Sequence, residues 1–220
     1  MNADVRLYAL VDPERAGGRD LAELAWMLAR GGATLVQLRD KLGSTRAMVA
    51  AARAIKARLA PLGVPLLIND RADVAFAAGA DGVHLGQEDM AAEDARRLLG
   101  RGAMIGLSIK TLDQALQAPI EHLDYACIGG VFATMSKNNP DPPIGLPGLQ
   151  SILAAMRGRR SDFPIGAIAG IDAANAGAVV EAGADGVAVI SALSLAPDPQ
   201  GAARDLRAIV EAALAGRQAA

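Results

Sequence analysis

The stretch that decides the fold begins with Leu66-Leu67-Ile68-Asn69-Asp70 and ends with Gly82-Val83-His84-Leu85-Gly86-Gln87-Glu88-Asp89. Each of these segments is an apolar run of strand length that ends in polar residues, and residues 72–79 between them form a short Ala-rich helical pattern. A strand, a helix and a second strand in succession predict a parallel βαβ unit. The carboxylates of Asp70 and Asp89 would therefore lie at the exits of successive buried strands.

Part of this stretch recurs at an offset of 104 positions. Residues 78–83, Ala-Gly-Ala-Asp-Gly-Val, return as residues 182–187 in a chain of 220 residues. An offset close to half the chain suggests two stacked half-barrels. The alternative is a chance match between Ala- and Gly-rich segments.

The composition favours one large α/β domain, residues 1–220, over two small ones. Barrels of this class have roughly 200 to 250 residues, and hydrophobic residues make up 52% of this chain. The net charge of −2 gives no long-range reason to expect nucleic acid or an anionic membrane as a partner. The start shows no basic and apolar leader pattern, so we expect a cytoplasmic protein. The single cysteine, Cys127, is expected to be a buried apolar residue.

Strand-like segments alternate with helical patterns along the whole chain. The predicted strands are residues 7–11, 34–39, 65–70, 82–87, 104–109, 125–132, 165–169 and 186–190. The predicted helices are residues 20–30, a segment capped by Ser44 or Thr45 and ending near 59, 72–79, 112–118, a segment capped by Asp172, and 202–215. This order predicts a closed (β/α)8 TIM barrel rather than an open doubly wound sheet. The Pro-rich segment 133–147 is expected to be an active-site loop, with a tolerated surface insertion as the alternative.

Barrel enzymes place their active sites at the carboxyl ends of the strands, and this chain has many polar residues there. The candidates are Gln37, Arg39, Lys41, Asn69, Asp70, His84, Gln87, Asp89, Ser108, Lys110, Thr134, Ser136 and Lys137.

Two kinds of charge stand out among these candidates. Asp70 and Asp89 suit a hard cation such as Mg²⁺, although Asp70 could instead cap the next helix and Asp89 could be solvated. Arg39, Lys41 and Lys137 could together hold a diphosphate, although each alone could be an ordinary surface cation.

The ends of the last two strands offer a second anion site. Gly170, Ile190 and Ser191 could bind a phosphate through backbone N–H groups, with Ser194 helping to start a short helix. Ordinary turn residues are the alternative. His84 should point into the barrel, either as a satisfied core residue or as part of a pocket for a ring.

The motifs Gln37-Leu38-Arg39-Asp40-Lys41, Asn69-Asp70, Val83 to Asp89, Thr134-Met135-Ser136-Lys137 and Val189-Ile190-Ser191 resemble, in order and spacing, the thiamine phosphate synthase family. The resemblance covers nearly the whole chain. It implies a Mg²⁺-dependent transfer that joins 4-amino-2-methyl-5-pyrimidinylmethyl diphosphate to 4-methyl-5-(2-phosphoethyl)thiazole, giving thiamine phosphate and pyrophosphate. The implied route is dissociative, so pyrophosphate leaves before the thiazole nitrogen attacks a pyrimidinylmethyl cation.

The resemblance also implies roles for individual residues. Asp70 and Asp89 would hold Mg²⁺, and Lys137, Ser108 and Arg39 would act in catalysis. The pyrimidine substrate would be bound by Gln37, Arg39, Lys41, Asn69, His84, Ser108 and Lys137, and the thiazole phosphate by Thr134, Ser136, Gly170, Ile190 and Ser191.

The sequence departs from the family pattern at four positions. The family often has Pro at Gly130 and Ala133, Gly at Ala169 and His at Lys110. These departures affect the thiazole end more than the diphosphate end.

Other functions remain open at this point. One is a thiazole tautomerase of the same fold, which would not need the diphosphate residues. A second is a Schiff-base aldolase-type enzyme that uses Lys110 or Lys137 as the nucleophile. A third is a sensor that binds a phosphate ligand without turnover. The sequence does not fix the oligomeric state and leaves a homo-oligomer open.

Overall fold

The computed structural model describes residues 3–134 and 142–219, in which eight parallel strands form a closed barrel in chain order. The barrel closes where β1 pairs with β8. The strands are β1 (Leu7–Val11), β2 (Leu35–Leu38), β3 (Leu66–Asn69), β4 (Gly82–Leu85), β5 (Met104–Ile109), β6 (Tyr125–Ile128), β7 (Ile165–Ile168) and β8 (Gly186–Val189). Each strand lies within its predicted segment, which confirms the (β/α)8 TIM barrel.

Helices connect the strands on the outside of the barrel. They are α1 (Leu21–Arg30), α2 (Thr45–Leu59), α3 (Ala72–Ala78), α4 (Ala92–Leu99), α5 (Leu112–Gln117), α6 (Gly145–Arg159), α7 (Ala176–Glu181), α8 (Ser191–Ser194) and α9 (Pro199–Ala219). The predicted cap of α2 is confirmed, because the Ser44 side chain accepts a hydrogen bond from the Ala47 N–H at 3.3 Å. No helix among the described residues combines the length and apolarity needed to cross a bilayer.

Three predicted boundaries are wrong. Asp172 does not cap α7, because its carboxylate accepts from the Ala174 N–H in the preceding turn and the residue flanking α7 is Asn175. Ser194 is the last residue of α8 rather than a starting residue, and its hydroxyl donates to the Leu10 carbonyl at 3.3 Å. The predicted loop 133–147 ends earlier, because α6 begins at Gly145.

Alternation along the strands divides the buried side chains into two cores. The larger core lies between the strands and the helices and includes Val36 and Leu38 of β2. The smaller core fills the barrel and includes Tyr8, Leu35 and Tyr125. This arrangement follows from the period of two in a strand, which directs alternate residues to the interior. The inward-pointing residues of each strand alternate with outward-pointing ones, and we call this inward set the residues of interior parity. Those near the carboxyl ends of the strands lie at the mouth of the barrel.

The recurring segment occupies matching places in the two halves of the barrel. Both copies turn from a helix into a strand that begins with glycine, at Gly82 and at Gly186. A Cβ at Gly82 would lie 1.9 Å from the Met104 carbonyl oxygen, and one at Gly186 would lie 2.0 Å from that of Val5. Both glycines are thus needed where the backbone of the next strand passes closely.

The aspartates of the two copies also play the same part. Asp81 accepts from the Leu66 N–H at 2.9 Å, and Asp185 accepts from the Ile165 N–H at 2.9 Å. Each carboxylate therefore joins the start of its own strand to the start of the preceding strand. Arg157 and Arg217 add ion pairs to Asp185 at 2.7 and 3.1 Å.

Replacing Asp185 by Asn should destabilise the barrel. We expect Asp185→Asn to lower the free energy of unfolding by about 1–2 kcal/mol, because the charge-assisted bonds to two half-buried arginines are lost. Urea denaturation measures this change. Asp162→Asn is the matched control, since the Asp162 side chain is 76% exposed and, among the described residues, its one ion pair is with Arg160. An equal loss in both variants would contradict the role assigned to Asp185.

Candidate active site

Opposite charges meet at the carboxyl ends of β2, β3 and β4. The ammonium group of Lys41, after β2, forms an ion pair with the carboxylate of Asp70, directly after β3. Asp70 does not cap α3, because Arg71 flanks that helix and no side chain caps it. The backbone of Asp70 has a φ of +62°, in the left-handed region that Asp tolerates better than most residues. Its carboxylate is thus held towards the barrel mouth rather than used by the helix.

The second carboxylate, Asp89, lies beside the first. Its Oδ2 accepts from the Gly86 N–H at 2.6 Å. Burial, with a further contribution from the neighbouring Asp70 carboxyl group, raises the pKa of Asp89 above its ordinary value. Two adjacent carboxylates with Lys41 as their neighbouring cation among the described residues form a site with an excess of negative charge.

This pair of carboxylates fits a hard divalent cation. Mg²⁺ is commonly bound by one or two carboxylates, while water and substrate phosphate complete its octahedron. No group of three or more His, Cys, Asp or Glu side chains suited to a metal occurs within residues 3–134 and 142–219. Asp70 and Asp89 could hold Mg²⁺ here, with most coordination positions left for ligand and water.

Arg39 reaches the same mouth, where it forms an ion pair with a residue that was not among the predicted site residues. Its guanidinium pairs with the carboxylate of Asp12, which follows β1. The exposed fractions of the two side chains are 12% and 2%. The Asp12 carboxylate also accepts from the Glu14 N–H at 2.9 Å, which orients it. Asp12 has the same interior parity as Tyr8 and Leu10, so strand alternation could have identified it.

Two buried polar atoms at the mouth have no hydrogen-bond partner within the described part of the chain, namely Oε1 of Gln37 and Nδ2 of Asn69. Gln37 is 1% exposed and Asn69 is 8% exposed. An unpaired buried polar group costs about 1–3 kcal/mol. This acceptor and this donor are therefore available to a ligand at the barrel mouth.

His84 points into the barrel, as predicted, and both of its ring nitrogens are used. Nδ1 lies 2.7 Å from the Tyr125 hydroxyl, and Nε2 lies 2.9 Å from the Ser108 hydroxyl. The Gln87 side-chain amide donates to the Ser108 carbonyl oxygen at 2.6 Å, so it holds the end of β5. Ser108 is therefore positioned from both its side chain and its backbone.

A cavity of about 470 Å³ opens beside Ser108, across the carboxyl ends of β5 to β8. It brings together the predicted residues Ser108, Lys110, Thr134, Gly170, Ile190 and Ser191. Arg15, which follows β1, also lines this cavity and was not predicted. The second predicted site is thus a real concavity on the same face as the carboxylates.

The backbone at one wall of this cavity is tightly constrained. Gly170 has a φ of +64°, and a Cβ there would lie 2.4 Å from the Ala133 carbonyl oxygen. The Asn175 side-chain amide donates to the Gly170 carbonyl oxygen at 2.8 Å, so it fixes the turn. Gly130 has a φ of +75°, which proline cannot adopt. Gly130, where the family often has proline, therefore gives this chain a local backbone conformation that proline would not allow.

Ala169 is strained in this wall, and glycine should relieve the strain. Its φ of +96° is rare for a residue with a Cβ. Such strain is of the order of 1–3 kcal/mol, whereas the entropic cost of glycine is roughly 0.5–1 kcal/mol. We expect Ala169→Gly to raise the free energy of unfolding by about 1 kcal/mol in urea denaturation. Ala167→Gly, within β7, is the control and should lower it. A loss in both variants would argue against strain at Ala169.

A larger cavity, of about 710 Å³, opens at the opposite end of the barrel. It is lined by residues that precede the strands, such as Asp81 and Asp124. Their carboxylates already accept backbone N–H groups and pair with Lys56 and Arg96. These charges are used in holding the strands together, whereas Asp70 and Asp89 lie at the other end of the barrel, on the face where the predicted site residues follow the strands.

The structure brings together most of the predicted site residues at that face. Ser136 and Lys137 lie outside the described residues, as does the middle of the predicted loop 133–147. Further residues that support or line this face were not predicted from the sequence, namely Tyr8, Tyr125, Asp12, Asn175 and Arg15. Tyr8 and Tyr125 lie in the predicted strands 7–11 and 125–132. The alternation of inward and outward residues along these strands could have indicated that both side chains point into the barrel.

The fold and this face define a class of protein, a (β/α)8-barrel enzyme with carboxylates, cations and a polar cavity at the carboxyl ends of its strands. The chain belongs to the thiamine monophosphate synthase family, whose family model matches residues 7–193. This membership confirms the resemblance seen in the sequence.

Individual relatives support the same conclusion over nearly the full length. The chain is 53% identical over 215 residues to a thiamine-phosphate synthase of Agrobacterium fabrum, with 98% of each chain covered. It is 47% identical over 208 residues to a thiamine-phosphate synthase of Albidiferax ferrireducens, covering 94% of this chain and 93% of the relative. A solved structure of thiamine phosphate pyrophosphorylase from Pyrococcus furiosus is similar with a TM-score of 0.83 and 35% identity, covering 96% and 98% of the two chains. The chain is thus a transferase-type enzyme of thiamine biosynthesis.

Proposed function

We propose that this enzyme couples 4-amino-2-methyl-5-pyrimidinylmethyl diphosphate to 4-methyl-5-(2-phosphoethyl)thiazole, giving thiamine phosphate and pyrophosphate in a Mg²⁺-dependent reaction. We further propose that it works as a single-domain cytoplasmic protein. The observation that carries the proposal is the pairing of two sites on one face, the Asp70 and Asp89 carboxylates with Lys41 at one end and the cavity beside Ser108 at the other.

The diphosphate belongs at the carboxylate end. A phosphate charge about 4 Å from a bare carboxylate would be repelled by roughly 4 kcal/mol at an effective dielectric constant near 20. Mg²⁺ held by Asp70 and Asp89 would remove this repulsion and would stabilise the negative charge of the departing pyrophosphate. Arg39 and Lys41 supply protein cations for the same oxygens, and the sequence motif adds Lys137 to this set.

The pyrimidine ring belongs over the interior polar residues. Its amino group can donate to the unpaired Gln37 Oε1, and an acceptor of the substrate can take a hydrogen bond from the unpaired Asn69 Nδ2. His84 and Ser108 lie next in the barrel and can form the remaining edge of the ring site. A ring in this position would put its methylene carbon between the two ends of the site.

The thiazole phosphate belongs in the cavity of about 470 Å³. Backbone N–H groups near Gly170, Ile190 and Ser191 can donate to the phosphate, and Thr134 lies on the same wall. The sequence motif adds Ser136 to this site. The thiazole nitrogen would then face the methylene carbon of the pyrimidine.

These residues suit a dissociative transfer. The carbon–oxygen bond to pyrophosphate breaks first, and the bound thiazole nitrogen then forms the new carbon–nitrogen bond. The protein needs to position two substrates and stabilise the leaving charge, so no side-chain nucleophile is required. Lys41, Arg39 and Ser108 perform these tasks by binding and orienting.

A thiazole tautomerase remains the second candidate, because the cavity alone could bind a thiazole phosphate. The carboxylates of Asp70 and Asp89 and the adjacent cations would have no task in that reaction. A Schiff-base aldolase-type reaction has one supporting observation, since Lys110 lines the cavity.

An end-point assay separates these possibilities. The enzyme is incubated with both substrates and Mg²⁺, with and without EDTA, and thiamine phosphate is read as its fluorescent oxidation product. We expect product that EDTA abolishes. No product from folded protein would contradict the proposed coupling, and product that persists in EDTA would contradict the metal site. Covalent trapping of a carbonyl substrate by borohydride, lost in Lys110→Ala, would establish the aldolase-type alternative.

A further inference from the structure

The interior of the barrel contains a continuous chain of polar side chains that runs from Gln37 to Ser108. The Gln37 amide contacts the Tyr8 hydroxyl, and the hydroxyls of Tyr8 and Tyr125 are 2.9 Å apart. His84 then links Tyr125 to Ser108 through its two ring nitrogens, at 2.7 and 2.9 Å. Neither tyrosine lines the cavity beside Ser108, yet together they connect the Gln37 amide with a side chain that does.

The protons available to this chain allow few arrangements. Tyr8 is 2% exposed and Tyr125 is 0% exposed, and burial raises the pKa of both hydroxyls, so each keeps one proton. A neutral His84 has one N–H. A phenol proton without an acceptor would be costly in this interior. Two orders satisfy every link between Gln37 and Ser108 and use each hydroxyl proton within this series of side chains.

In the first order, all donors point from Gln37 towards Ser108. The Gln37 amide N–H donates to Tyr8, Tyr8 donates to Tyr125, and Tyr125 donates to Nδ1 of His84. His84 then carries its proton on Nε2 and donates to Ser108. This order leaves Gln37 Oε1 as a free acceptor, and the Ser108 hydroxyl is free to donate outward.

In the second order, every donor is reversed. Ser108 donates to Nε2 of His84, Nδ1–H donates to Tyr125, Tyr125 donates to Tyr8, and Tyr8 donates to a Gln37 amide turned by 180°. Gln37 now presents its NH₂ group to a ligand, and the Ser108 oxygen can only accept from one. Gln37 and Ser108, at the two ends of this hydrogen-bonded series, therefore exchange their donor and acceptor roles together.

We propose that Tyr8 and Tyr125 are positioning residues that couple Gln37 to Ser108, so that the ligand edge bound at Gln37 sets the tautomer of His84 and the donor or acceptor role of Ser108. The inference rests on the proposed function in one respect, namely that this edge belongs to an aminopyrimidine. An amino group donates to Gln37 Oε1 and selects the first order. Ser108 is then a donor, as suits a group facing negatively charged oxygens.

Histidine tautomers provide a direct test that does not depend on turnover. The chain has 2 histidines, so ¹⁵N-histidine labelling gives few signals and His122→Gln identifies those of His84. The probes are 4-amino-2,5-dimethylpyrimidine and its 4-oxo counterpart, which present a donor and an acceptor at the same ring position. We expect the proton of His84 to be on Nε2 with the amino probe and to shift to Nδ1 with the oxo probe.

Two variants decide whether the tyrosines transmit this switch. In Tyr8→Phe, the Tyr125 hydroxyl loses Tyr8 as a hydrogen-bond partner but keeps Nδ1 of His84, so it should donate to Nδ1. Both probes should then give the Nε2–H tautomer of His84. Leu35→Met is the matched control, because Leu35 packs in the same interior core without joining the chain. This control should switch like the wild type.

The outcomes separate the inference from the proposed function. A wild-type tautomer that is the same with both saturating probes, or a doubly protonated His84, would overturn the coupling even if thiamine phosphate is formed at the normal rate. A switch that persists in Tyr8→Phe would also overturn it. Failure of both probes to bind would overturn the assignment of Gln37 to a pyrimidine edge, and the coupling assay on the same preparation reports separately on the reaction.

Discussion

Asp89→Asn is expected to lower kcat by about 100-fold or more while leaving the ligand-free protein as stable as the wild type or more stable. The activity should fall because one of the two carboxylates available to Mg²⁺ is lost, and stabilisation of a leaving group by a metal is worth several kcal/mol. The stability should not fall because Asp89 lies beside Asp70, and the raised pKa of Asp89 indicates that its charged form is disfavoured in the fold. Steady-state kinetics at saturating Mg²⁺ and urea denaturation in EDTA measure the two effects.

The pH dependence of this stability difference follows from the sign of the pKa shift. A carboxyl group whose pKa is raised in the fold contributes stability below its ordinary pKa of 3.8, and this contribution is lost as the pH rises through the raised value. The wild type and Asp89→Asn should therefore be closest in stability near pH 4 and should diverge in favour of the variant towards neutral pH. Asp94→Asn, at an exposed position of α4, is the control and should change neither kcat nor this difference. A variant that loses activity and stability in parallel would contradict the assignment.

The barrel could be predicted from the sequence because its signals are local. Apolar runs of strand length alternate with helical patterns from residue 7 onward, and connections between parallel strands must be right-handed crossovers. Helix ends were harder, since Asp172 and Asn175 are both acceptable flanking residues before α7. Only the three-dimensional path of the turn decides that Asp172 binds Ala174 instead.

The positions of the site residues could also be predicted, but their partners could not. Strand parity placed Gln37, Arg39 and His84 at the barrel mouth. It could not show that Arg39 pairs with Asp12 or that His84 pairs with Tyr125, because these contacts join residues 27 and 41 positions apart in the sequence. Pairings across a barrel depend on register and closure, and a single sequence contains no direct record of either.

The ion pair between Arg39 and Asp12 leads to the second large effect. We expect Arg39→Gln to lower kcat/KM for the pyrimidine diphosphate by roughly 100-fold, since a bidentate cation for phosphate oxygens is removed. We also expect the free energy of unfolding to fall by about 3 kcal/mol, because Asp12 is 1% exposed and its buried carboxyl group would lose its ion-pair partner. Both values come from the same preparation, by steady-state kinetics and urea denaturation.

The double variant Arg39→Gln/Asp12→Asn separates the two roles of the arginine. Replacing Asp12 by Asn removes the buried carboxyl group that Arg39→Gln leaves without its ion-pair partner, so most of the lost stability should return. The activity should not return, because the diphosphate still lacks its guanidinium. Arg58→Gln is the control, since the Arg58–Glu23 pair has exposed fractions of 47% and 45% and should contribute less than about 1 kcal/mol. Recovery of kcat/KM together with stability would mean that Arg39 serves the fold alone, and the diphosphate would then depend on Lys41 and the metal.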